Sequence, residues 1–161
     1  MQYIRGIENY QDHRPAAVTL GKFDGLHRGH RKLIEQMKSY THARKLKSVV
    51  FTFDMLPFEE KKGIIKKKIM TNRERAHLLE GEVDCLLECP FTEQMQNMDA
   101  AVFVEEILVN QLQAEYIVVG EDFRFGYQRR GDTELLKEYA ARGAFCLEAL
   151  PKECYEGREI S

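Results

Sequence analysis

The sequence predicts an α/β domain: a doubly wound parallel sheet with helices on both faces. Three observations carry that prediction. Short apolar runs alternate with segments of helical periodicity about four times along the chain. The runs are apolar almost throughout rather than alternating in polarity, as strands covered on both faces require. The loops after these runs carry glycines, histidines and arginines. In sheets of this type, ligands bind beyond the carboxyl ends of the strands, where the strand order reverses.

The size fits. A chain of 161 residues is one domain's worth, long enough to bury a core without disulfides or a structural metal. It carries 24 basic and 26 acidic residues, a formal charge of −2, so nothing draws it globally to nucleic acid or an anionic membrane. Any polyanion it binds must be held by local geometry. No apolar stretch approaches the ~20 residues that span a bilayer. The start has no basic-then-apolar signal pattern. Cysteines stand at 85, 89, 146 and 154 without a Cys-x-x-Cys pair, which reads as reduced thiols in a cytoplasmic protein.

The elements come in this order. Ala16 to Leu20 is an apolar strand ended by Gly21. A glycine-bearing loop leads to a helix over roughly 29–45, with Leu33, Met37 and Tyr40 at helical spacing. Ser48 to Asp54 is the second strand, and Pro57 interrupts any regular element after it. Lysines 61, 62, 66, 67 and 68 surround Gly63 in an exposed segment, which is either a solvated loop or a flap that steers a polyphosphate. Thr71 and Glu74 form a capping box for a helix that ends near Gly81. Val83 to Cys89 is a strand. Asp99 to Leu112 is a helix with Val102, Phe103, Ile107 and Leu108 on its apolar face. Tyr116 to Gly120 is a buried strand. Asp132 caps a helix from Thr133 to Arg142, Gly143 ends it, and Phe145 to Leu150 is the last strand.

Two loops concentrate the chemistry. After the first strand come His27 and His30, flanking Gly29 where a helix opens. A helix N-terminus presents unpaired N–H groups and about half a positive charge, which suits an anion. Gly21, Gly25 and Gly29 let backbone approach a ligand closely. Two imidazoles three residues apart can donate to phosphate oxygens. They can equally share a metal ion or simply line a capping turn, although no cysteine or carboxylate cluster nearby completes a tetrahedral metal set. Neither a P-loop nor a dinucleotide-binding glycine fingerprint is present.

After the fourth predicted strand, 120–131 is dense in glycine, aromatics and arginine. Arg129 and Arg130 can clamp phosphate, and Asp122 can accept from a ribose hydroxyl or an adenine amino group. The bland alternative is a hairpin-like surface loop. Phe51 and Phe53 share strand parity and should face one side. Phe58, Phe123 and Phe125 are the aromatics placed to meet a planar ligand.

Leu20-Gly-x-Phe-Asp-Gly-x-His-x-Gly-His30, Phe51-Thr-Phe-Asp54 and Gly120-Glu-Asp-Phe-x-Phe-Gly126 resemble, in order and spacing, the FMN adenylyltransferase module of bacterial FAD synthetases. The resemblance covers about residues 16–161. It implies a nucleotidylyltransferase-type (HxGH) Rossmann-like fold. The implied reaction is ATP plus FMN giving FAD and pyrophosphate, with Mg²⁺ accompanying ATP and no metal site of the protein's own. By the family pattern His27 and His30 are the catalytic pair. Gly21, Phe23, Asp24 and Gly29 belong to the phosphate-binding motif, and Asp122 with its loop lies against the nucleoside. Such modules are normally fused to a riboflavin kinase domain, which this chain does not contain.

Three places depart from the pattern. Lys22 stands where the family usually has Asn. Met55-Leu56-Pro57 replaces Pro-His-Pro, removing a histidine. The family's later Ile-Ser-Ser-Thr-x-x-Arg motif is met only by Ile160 and Ser161, where the chain stops. Two competing readings remain: a sibling nucleotidylyltransferase with another phosphate acceptor, and a nucleotide- or flavin-binding module without turnover.

Overall fold

The computed structural model describes residues 1–21, 28–55, 63, 76–77 and 79–151; within these, the side chains of 28–30 are not described. Among the described residues six strands form one sheet: β1 (Gln2–Arg5), β2 (Ala16–Gly21), β3 (Lys47–Asp54), β4 (Cys85–Pro90), β5 (Ala114–Gly120) and β6 (Cys146–Leu150). Their order is β1-β4-β3-β2-β5-β6 and every pairing is parallel. The sheet runs outward from β2 through β3 to β4 on one side. It then restarts beside β2 with β5 and continues to β6. The order therefore reverses between β2 and β5, as a doubly wound sheet demands.

Helix α1 (Arg28–Arg44) makes the crossover from β2 to β3. Leu33, Ile34 and Met37 are buried against Ala17, Val50, Leu86 and Val118 on one face of the sheet. The opposite face is covered by α2 (Glu93–Gln96), by α3 (Ala100–Val102) with its continuation Phe103–Gln111, and by α4 (Thr133–Ala141). There Val18, Leu20, Phe51, Leu87 and Val119 pack against Phe103, Val104, Leu108 and Leu136. Phe51 and Phe53 do share a side, with ring centroids 5.1 Å apart. A fully buried ring such as Phe51 contributes on the order of 2–3 kcal/mol by transfer from water.

Predicted and observed elements differ at three places. The sequence pattern predicts nothing regular before Ala16, yet β1 lies there as an edge strand beside β4, with Gln2 opposite Cys85 and Arg5 opposite Glu88. The helix predicted from Asp99 is capped by that residue, whose carboxylate accepts from Ala101 and Val102 N–H. From Phe103 it continues as a π-helix, shown by Leu112 N–H donating to the Ile107 carbonyl at 2.9 Å. The buried face is Phe103, Val104, Ile107 and Leu108, while Val102, in the turn before it, is 43% exposed instead of in the core. The one-turn α2, capped by Thr92, is too short to show as a periodicity.

The capping box at Thr71, the lysine segment at 61–68, Phe58, Leu56 and Pro57 lie outside the described residues, Gly63 excepted. Gly81, at φ +82°, adopts the left-handed turn expected of a helix stop.

Candidate functional site

β2 and β5 are adjacent, pairing through Val18 with Ile117 and Thr19 with Val118. The two chemistry-rich loops therefore leave neighbouring strands at the point where the sheet order reverses. Gly21 is the last residue of β2 and lies opposite Thr52 of β3. Gly120 is the last residue of β5 and lies opposite Leu150 of β6. No side chain rises from either strand end at that step.

α1 opens at the same end of the sheet. Gly29 and His30 lie in its first turn, and that turn contains no acidic residue. Its partial positive charge is therefore not answered by a carboxylate of its own. Among the described residues, the other α-helix starts with a described cap are occupied by Thr92, Asp99 and Asp132, each accepting from backbone N–H groups. His27, Phe23, Asp24 and Ser161 lie outside the described residues, and the His30 side chain is not described. Among the described residues no group of three His, Cys, Asp or Glu side chains is arranged to hold a metal ion.

The loop after β5 is built like a short hairpin. Phe125 and Gly131 exchange backbone hydrogen bonds of 3.1 and 2.8 Å in an antiparallel bridge. Gly131 is required there, because a Cβ would stand 2.6 Å from the Phe125 ring. The loop docks on the start of α3: Tyr127 N–H donates to the Met98 carbonyl at 2.8 Å, and Gly126 lies against Ala100.

This places the predicted loop residues unequally. Asp122 is exposed and Phe123 half-buried. Phe125 is buried, 3% exposed, with its ring 5.4 Å from Phe103 and 5.5 Å from Phe123. It forms the wall of the loop rather than a surface open to a ligand. Arg129 is exposed, makes no ion pair among the described residues, and has left-handed backbone at φ 56°, as does Gln128 at φ 53°. Two consecutive non-glycine residues in that region cost roughly 1–2 kcal/mol each. Arg130 is engaged within the loop, 5.3 Å from the Tyr127 ring centroid and 2.9 Å from Gln128 Oε1.

Beside the loops, a polar layer lies on the α1 face of the sheet, and sequence reasoning missed it. Parity puts Thr19 of β2, Thr52 and Asp54 of β3, and Glu88 of β4 on that face, all buried. Arg5 pairs with Asp54 at 2.9 Å. The Tyr3 hydroxyl donates to Glu88. Burial pushes the Glu88 carboxyl up to about 7. The available signal is a charged or hydroxyl residue inside an otherwise apolar strand, as in Cys85-Leu-Leu-Glu-Cys89.

A family profile for FAD synthetase matches residues 9–161. A bifunctional riboflavin kinase/FMN adenylyltransferase of Buchnera aphidicola subsp. Acyrthosiphon pisum is 35% identical over 148 residues, covering 90% of this chain and 47% of that protein. The protein of the same name in Escherichia coli strain K12 is 32% identical over 166 residues, covering 100% of this chain and 53% of its own length. The chain thus spans about half the length of the curated relatives it matches. Among solved structures, a macrolide-efflux protein from Streptococcus pneumoniae aligns with a TM-score of 0.76 at 24% identity, covering 93% of this chain and 50% of that one. At that identity the likeness speaks for the fold alone.

Proposed function

Because the chain belongs to the FAD synthetase family, we propose that it transfers the adenylyl group of ATP to FMN, releasing pyrophosphate. A phosphate oxygen of FMN attacks the α-phosphorus of ATP, a new P–O bond forms, and the bond to the β-phosphate oxygen breaks. The attacking group is already an anion, so no protein nucleophile is needed. Catalysis then consists of alignment and charge stabilisation. Mg²⁺ arrives with ATP as part of that substrate. His27 and His30 hold the triphosphate and stabilise charge on the leaving pyrophosphate. Gly21, Phe23, Asp24, Gly29 and the first turn of α1 floor the phosphate site. Asp122 faces the nucleoside, Phe123 the flavin or adenine plane, Arg129 the phosphates, and Ser161 contributes a hydroxyl.

The observation that carries this reading is the family match across 9–161, which spans both loops at the strand-order reversal. The absence of an acid from the first turn of α1 supports an anion there. In this reading the chain is the adenylyl-transfer half of a protein whose relatives carry a riboflavin kinase as well. It works in the cytoplasm, in keeping with Cys85, Cys89 and Cys146 as free thiols. No described helix is long and apolar enough to cross a membrane.

The test is incubation with FMN and MgATP, with FAD and pyrophosphate measured by chromatography. FAD should accumulate in step with pyrophosphate. Pyrophosphate release on pantetheine phosphate, nicotinamide mononucleotide or glycerol phosphate, but not on FMN, overturns the choice of acceptor. Tight ATP binding without any pyrophosphate release makes the chain a binding module.

A further inference from the structure

The loop after β5 carries its exposed arginines on a turn that is unfavourable by itself. Gln128 has φ 53° and ψ 28°, and Arg129 has φ 56°. Left-handed backbone is costly for residues with a Cβ and persists only where the surroundings over-determine it. The hydrogen bonds within the turn do not supply that hold. Arg129 N–H donates to the Gly126 carbonyl and Arg130 N–H to the Tyr127 carbonyl, so both bonds move with the loop.

Three contacts tie the loop to the segment 98–103, where α3 begins. Tyr127 N–H donates to the Met98 carbonyl at 2.8 Å. The Phe125 ring lies 5.4 Å from the Phe103 ring. Between these two, Gly126, at φ +79°, meets Ala100 so closely that a Cβ on the glycine would stand 2.8 Å from both Cα and Cβ of the alanine. The segment is itself fixed. The Asp99 carboxylate accepts from Ala101 and Val102 N–H, and the buried Phe103 ring lies 5.9 Å from Phe51 and 6.1 Å from Phe53 of β3. The loop leaving β5 is thus registered against β3, with β2 between them. Ala100 is buried at the centre of this contact, and the approach of Gly126 leaves no room there for a larger side chain.

We propose that Ala100 is a positioning residue for nucleotide binding. Its methyl group seats the loop after β5, the seated loop holds the left-handed turn at Gln128 and Arg129, and that turn presents the Arg129 guanidinium to the phosphates. Ala100 touches no ligand and acts through Arg129. The inference rests on the proposed nucleotide-binding reading and adds to it a residue outside both ligand loops.

The experiment is a double-mutant cycle of Ala100→Val with Arg129→Ala, with Ala100→Ser as the conservative control. Affinity for ATP and for inorganic tripolyphosphate is measured by calorimetry, and thermal midpoints are recorded alongside. Arg129→Ala should weaken both probes roughly tenfold, as loss of a charged donor requires. Ala100→Val should weaken them to within about threefold of that, and Ala100→Ser should stay within about threefold of wild type. The double variant should bind no more weakly than either single one, because both changes remove the same contact. Undiminished binding by a folded Ala100→Val overturns the inference. Losses that multiply in the double variant also overturn it, since Ala100 then acts on the fold at large. If Ala100→Val does not fold, Gly126→Ala strikes the same contact from the loop side and takes its place in the cycle, under the same two criteria. Undiminished binding by Arg129→Ala overturns the inference and the role given to Arg129, and leaves adenylyl transfer standing. A wild-type chain that binds neither probe overturns the proposed function and this inference together. The expected cycle without FAD formation supports the inference and removes the catalytic reading alone.

Discussion

The two ends of this sheet treat their charged and strained groups differently. At the amino end, charged groups are met in ion pairs, while the buried Tyr10 hydroxyl makes no hydrogen bond among the described residues. Asp12 reaches both Arg14 at 2.8 Å and Lys47 at 2.9 Å. The nearly buried Lys47 ammonium also sits 4.3 Å from the Tyr10 ring centroid. Ser48 and Asp84 satisfy each other. At the carboxyl end, Thr19 has no partner among the described residues, Glu88 is held at about 7 by burial, and Gln128 and Arg129 sit in left-handed backbone. Both ends belong to the same strands, so the contrast does not come from the fold. In the proposed reading, the raised carboxyl and the left-handed backbone lie on the side of the sheet that would take the ligand.

The largest expected effect lies at the carboxyl end. His30→Ala should lower the rate of FAD formation by ~10²–10³, the cost of losing one donor to developing charge, with the melting midpoint little changed. Full turnover in this variant, measured by chromatography of FAD, removes His30 from the site. Asp12→Asn is the counterpart at the amino end. It leaves the Lys47 ammonium buried without its counter-charge. Removing one partner of a buried pair costs ~3–5 kcal/mol; Asp12 is one-fifth exposed, which lowers the expectation to about 2–3 kcal/mol in urea unfolding. kcat/KM for FAD formation should not move. A variant that loses turnover while remaining folded would mean that the two ends are coupled.

Legibility in the sequence depends on whether a residue announces itself by its neighbours. The five strands from β2 to β6 are visible as apolar runs, and their alternation with helices gives the parallel sheet. β1 is not visible, because Gln2-Tyr-Ile-Arg5 buries only Ile4. The π-helical turn is not visible either, since a period of 3.6 is the natural expectation where the backbone takes a wider one. In the site, glycines and histidines stand out because their conformational and chemical properties are special. Thr19 and Glu88 do not, because a polar residue in an apolar run does not say whether its partner exists. Phe125 shows the converse: an aromatic in a glycine-rich loop looks like a ligand platform, and only packing against Phe103 makes it core.

The ends should also respond to pH with opposite signs. Hydrogen bonds from Arg14, then Lys47, hold Asp12 well below the usual carboxylate range. Its contribution is complete above that range and is lost as pH falls through it and below. Glu88 is displaced the other way, from 4.5 to about 7, by desolvation. Between those values the unfolded chain has released the proton and the folded one keeps it. Stability therefore falls as pH rises from 4.5 to about 7 and levels off above. Glu88→Gln should flatten that limb, matching wild type near pH 4 and exceeding it by roughly 1–3 kcal/mol at pH 8. Parallel stability curves for the two proteins from pH 4 to 8 exclude Glu88 as the source.

The smallest effect tests where the boundary between the two regimes runs. Asp132 stands at the exit of the loop after β5, on the site side of the molecule, yet its role is of the amino-end kind. Its Oδ1 accepts from Leu135 N–H at 3.0 Å and caps α4. It also lies 3.5 Å from Arg124, a pair with both side chains partly exposed. Losing the cap in Asp132→Ala should cost about 1 kcal/mol. Asp132→Asn keeps an acceptor and loses only the solvent-accessible charge pair, so it should cost under about 0.5 kcal/mol. Gly131 beside it is locked against the Phe125 ring, which should hold the loop in place without the cap. Turnover is then expected to change by less than about threefold in either variant. If Asp132→Ala cuts kcat more than tenfold while Asp132→Asn does not, the cap positions the loop for catalysis, and the boundary moves past Asp132 into α4.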